Sequence, residues 1–79
     1  MKLNPIASNM TEIEFPNGAT VLFSYKTPVA AQLPDGFFVR TDKRWSVTTS
    51  RHIKKWLNGA RATEVPQSDL DGMTDSGRA

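Results

Sequence analysis

The chain contains no cysteine, which excludes disulfides and thiolate metal sites and gives no sign of an oxidising compartment. It has a single histidine, His52. With no second ligand nearby, one imidazole does not make a metal site. As a general base His52 would need a partnered nucleophile, and no elbow of the Gly-x-Ser-x-Gly kind is present. No glycine-rich phosphate cradle and no paired carboxylates stand out. Asp42 and the aspartates near the C-terminus are too isolated for acid–base work. The expectation is therefore a protein that is not an enzyme and holds neither cofactor nor metal. Long hydrophobic runs are also missing, so the sequence carries no membrane span, signal peptide or lipidation motif, and a cytosolic location follows by default.

What is present fits one small domain, since 79 residues are too few for two cores. The stretch from Ser68 onward holds Asp69, Asp71, Asp75 and two glycines with almost nothing large to bury. It reads as a flexible acidic tail over 66–79, which leaves a single domain at 1–65. Net charge is only +2, but residues 37–56 carry six basic side chains (Arg40, Lys43, Arg44, Arg51, Lys54 and Lys55) against one acid, Asp42. Such asymmetry speaks to the sign of a partner rather than to the fold.

Along the chain, Thr11-Glu12-Ile13-Glu14-Phe15 alternates polar and apolar, as a half-buried strand does. Pro16-Asn17-Gly18 supplies a turn, and 19–26 is rich in β-formers, so 11–26 reads as a hairpin. Pro28 cannot donate to a ladder and marks an edge. Residues 29–33 are then either a short edge strand, which could pair across a dimer, or an extended connection. Further strands are expected near 37–41 and 45–47. The period changes after that. Thr48, Thr49 and Ser50 offer capping hydroxyls, Ile53, Trp56 and Leu57 share one helical face, and Asn58-Gly59 supplies a stop, so a helix is expected near 49–58. Residues 62–65 add a brief extended piece. Strands followed by a helix, without alternation, predict an α+β fold: a small antiparallel sheet of three to four strands packed against one helix.

The candidate binding residues are Arg40, Lys43, Arg44, Trp45, Arg51, Lys54 and Lys55. Arg51, Lys54 and Lys55 fall at i, i+3 and i+4, a basic stripe opposite Ile53, Trp56 and Leu57. It would meet phosphates or an acidic protein surface; the alternative is an ordinary solvated helix face. Trp45 beside Lys43 and Arg44 is either an exposed platform, for a nucleobase or as a protein hot spot, or a core filler. Trp56 is expected in the core. Phe37 and Phe38 point to opposite faces of their strand, so one should be less buried; Phe38 is a second candidate for base stacking.

Several segments together, Phe23-Ser24-Tyr25, Thr27-Pro28-Val29-Ala30, Gly36, Arg40-Thr41, Trp45-Ser46, Thr48-Thr49-Ser50-Arg51-His52-Ile53 and Trp56-Leu57, resemble a family of small uncharacterised bacteriophage proteins. The match spans roughly residues 10–58. The resemblance implies a phage origin and a compact fold; taken with the default cytosolic location, the expected place is the host cell cytosol. It brings no catalytic residues, because that family has no assigned activity. Short phage proteins outside the virion and replication machinery often act stoichiometrically on a host or defence protein. Such a protein is therefore the expected partner, with nucleic acid as the alternative target of the same basic residues.

Overall fold

The computed structural model describes residues 2–76, with side chains through Met73. Among these the order is β1 (Lys2–Ala7), β2 (Met10–Glu14), β3 (Thr20–Ser24), β4 (Thr27–Gln32), β5 (Phe38–Thr41), α1 (Val47–Leu57), β6 (Ala62–Val65) and α2 (Gln67–Ser76). The strands form one sheet in that sequence order. The first five are antiparallel neighbours, whereas β6 runs parallel to β5. A parallel pair needs a crossover, and α1 provides it.

The β2–β3 turn is set by local chemistry. Asn17 Oδ1 accepts the Ala19 amide at 3.0 Å, and Gly18 takes φ +94, where a side chain is strained. Beyond the turn, residues alternate between two buried faces. One face carries Met10, Leu22 and Ala30, with Ile53 of α1 packed on them and Trp56 and Leu57 at the margin. The other carries Phe15, Val21, Ala31 and Val39, with Leu70 of α2 packed on them and Met73 alongside. A helix therefore covers each face of the sheet. That is why β4, which lies under both, is buried at Pro28, Val29, Ala30 and Ala31.

This architecture overturns the expected three-to-four-stranded antiparallel sheet with one helix. Three of the differences have clear physical causes. Residues 45–47 are not a strand: Val47 opens α1, because Ser46 takes the extended conformation and its Oγ caps the Thr49 amide. Residues 29–33 do not form an edge. Pro28 lies inside a central strand, and a register shift opposite Leu22/Phe23 accommodates its missing donor. The segment expected as a tail over 66–79 contains α2 from Gln67 to Ser76, and Leu70 is 0% exposed; residues 77–79 lie outside the described residues. β1 escaped the reading altogether. It is exposed along nearly its whole length and so shows no alternation.

Candidate binding surface at the carboxyl end of β5

α1 starts after β5 and α2 after β6, and those strands are parallel. Both helix starts therefore lie at one end of the sheet, together with the β3–β4 turn. In open α/β sheets the crevices outside the carboxyl ends of parallel strands are where ligands bind. Here the crevice is shaped by the 42–46 loop. The buried Thr41 Oγ1 accepts the Lys43 amide at 3.1 Å, and Ser46 closes the loop as the N-cap.

A chain of side-chain hydrogen bonds fixes α1 to the sheet here. Ser46 Oγ donates to Thr49 Oγ1 at 3.2 Å. Thr49 Oγ1 lies 3.0 Å from Ser24 Oγ, and Ser24 Oγ lies 2.8 Å from His52 Nδ1. Ser24 is only 2% exposed, so this serine–histidine pair ties α1 to β3 from within the packed layer.

Trp45 sits at the centre of the surface, 42% exposed. Lys43 Nζ stands 4.1 Å from its ring centroid, and its indole N–H donates to Gln67 Oε1 at 3.2 Å. Gln67 in turn donates to the Pro28 carbonyl at 2.7 Å. The indole is thus held by a cation over the ring and by a hydrogen bond to the start of α2, which fixes its orientation.

Two hollows flank it. An open groove of about 410 Å³ with mostly apolar walls is lined by Arg44, Trp45, Val47, Arg51 and Lys54, among others. A polar cavity of about 290 Å³ is lined by Arg40, Lys43, Arg44 and Trp45 together with acids and α1 residues. Six of the seven residues expected to bind thus come together around Trp45. Lys55 lines neither hollow. It belongs with Lys54 to the last turn of α1, where a cation complements the helix dipole. Trp56 is partly buried and donates to Glu12 Oε1 at 2.9 Å. It meets Phe38 edge-on at 5.6 Å, which occupies Phe38 in packing. Phe37 is instead 71% exposed.

Sequence reasoning missed two contributors. Val47 is 70% exposed and lines the groove. Tyr25, 54% exposed, shares a smaller hollow of about 190 Å³ with Trp45 and packs its ring 6.2 Å from that of His52. Its backbone takes φ +59, a region favouring Gly, Asn or Asp. Tyr25 is the first residue of the two-residue β3–β4 turn, and its distance along the chain from residues 40–54 hides its part in this surface.

Among the described residues no group of three or more His, Cys, Asp or Glu could hold a metal ion, and no helix is long and apolar enough to cross a membrane. Comparison with curated proteins and with solved structures returned no match. A family model covers residues 1–72, through Leu70 and most of the described chain, and on that match the protein belongs to a family of unknown function, DUF8033.

Proposed function

We propose that the protein is a non-catalytic binding module whose groove beside Trp45 takes an acidic segment with an apolar anchor from a protein partner. In the phage setting implied by the sequence resemblance, that partner is a host or defence protein in the host cytosol. The observation that carries this reading is that Arg44, Arg51 and Lys54 ring an apolar groove containing Trp45 and Val47. Interface hot spots have this composition: an aromatic or arginine anchor in a pocket, with charges at the rim to steer encounter. Tyr25 supports it as well. A bulky residue held at positive φ carries a conformational cost, and such outliers gather where a side chain is used.

A second reading has its own support. Trp45 is exposed beside Lys43, as a base-stacking platform in a single-strand binder would be. Salt separates the two. Binding to single-stranded DNA or RNA through several phosphates falls steeply and linearly in log–log form as salt rises; a groove anchored by apolar contact loses much less. The test of the first reading is the Arg51→Glu/Lys54→Glu variant, whose changes are exposed and should leave the fold intact. It should lose a protein partner that the wild type captures from host lysate. Undiminished capture by that variant overturns the reading, and salt-sensitive binding to single strands without a protein partner favours the second.

A further inference from the structure

The polar cavity shares only Arg44, Trp45 and Ser50 with the groove, and its chemistry differs. Arg40 leaves β5 on the face that α1 covers, in register with Ala30 and Glu64. Its Nε is shut off from solvent and meets no acceptor. A buried donor on a charged group is costly to leave unsatisfied, so it marks a place where a negative oxygen is favoured. Lys43 and Arg44 line the same cavity, and these three cations outnumber Asp42 and Glu64, which line it too. α1 begins beside the cavity with no acidic residue in its first turn, so the partial positive charge of the helix start is left uncompensated. The volume of about 290 Å³ is several times the roughly 30 Å³ of one water, which leaves room for a small ion with part of its hydration shell.

We propose that this cavity binds a single tetrahedral oxyanion of the phosphate type, with the poorly solvated Arg40 guanidinium as its innermost charge and Lys43 and Arg44 supplying the rest. The site stands apart from the partner-binding reading: either can fail without the other.

The test is an NMR titration of the ¹⁵N-labelled full chain with inorganic phosphate, chloride being exchanged to hold ionic strength constant. A parallel arm uses glycerol phosphate as a monoester. The expected result is saturable shifts in the amides of residues 40–50 and in the Arg40 Nε–H resonance. Affinity should fall about tenfold or more in Arg40→Gln, since the innermost positive charge is lost, and should fall clearly less in Arg51→Glu/Lys54→Glu, whose reversed charges act on the site only at a screened distance. If Arg40→Gln loses its folded spectrum, the exposed pair Lys43→Ala/Arg44→Ala serves in its place with the same expectation. A monoester that binds as well as phosphate makes the ligand a phosphoryl group on a larger molecule; a monoester that is excluded makes it the free ion. Shifts that never saturate, or an affinity equal in the cavity variants and the wild type, overturn the site. Partner capture lost in Arg51→Glu/Lys54→Glu with phosphate binding largely retained leaves both assignments standing.

Discussion

Ser24 Oγ lies 2.8 Å from His52 Nδ1, tying the end of β3 to the second turn of α1. Because Thr49 Oγ1 also reaches Ser24, this one hydroxyl joins two helix residues to the sheet. Such buried polar chains polarise one another and fix a unique docking geometry when every member is satisfied.

Ser24→Ala removes the middle of the chain and leaves the buried Thr49 hydroxyl and the His52 nitrogen without that partner. The expected loss is about 1–3 kcal/mol of unfolding free energy, read from the urea midpoint at an unchanged slope. Partner capture and phosphate binding should persist at temperatures where the variant is folded. An unchanged midpoint would show that the chain does not hold α1 in place.

Leu70→Ala tests the second layer. Leu70 is 0% exposed and packs with Val21, Ala31 and Val39. Truncating a fully buried leucine costs about 2–5 kcal/mol, a large fraction of the stability of so short a chain. A thermal melt lowered by many degrees supports α2 as part of the core. A melt that does not move would return 67–76 to the status of a dispensable tail.

These two sites show how unevenly the chain declares itself. The β2–β3 hairpin was legible because the alternation in 11–15 and the Asn17-Gly18 pair carry their own geometry. The contacts of Ile53 and the stop at Asn58, which takes φ +48, were legible for the same reason. Leu70 was not. It is one apolar residue among aspartates and glycines, and only the tertiary surface of Val21, Ala31 and Val39 makes it a core residue. β4 was misjudged because Pro28 normally argues for an edge, and the register shift that accommodates it inside the sheet is a property of the pair, not of either strand. At the site, the cluster of Arg40, Lys43, Arg44 and Trp45 could be read from sequence spacing. The turn that brings Tyr25 to the same surface could not, since it lies far from them along the chain.

Tyr25→Asn separates binding from folding. Asparagine accepts positive φ more readily than tyrosine, and the strain released is of order 1 kcal/mol. The variant should be as stable as the wild type or slightly more so, despite losing the ring contact with His52, while binding its partner several-fold more weakly. Calorimetry and a pull-down on the same preparation read both quantities. A destabilisation above about 1 kcal/mol, with binding intact, would make Tyr25 a structural residue only.

The central claim, that the groove beside Trp45 is the face that meets a protein, is tested most directly by photocrosslinking from two positions of matched exposure. Val47 is 70% exposed inside the groove, and Phe37 is 71% exposed outside it. A benzophenone amino acid is placed at one or the other position, and the full chain is irradiated in lysate of the host proposed for it. The account predicts a discrete protein adduct from position 47, none from position 37, and loss of the adduct when Arg51→Glu and Lys54→Glu are added. An adduct that forms equally from position 37, or that survives the charge reversal, contradicts it.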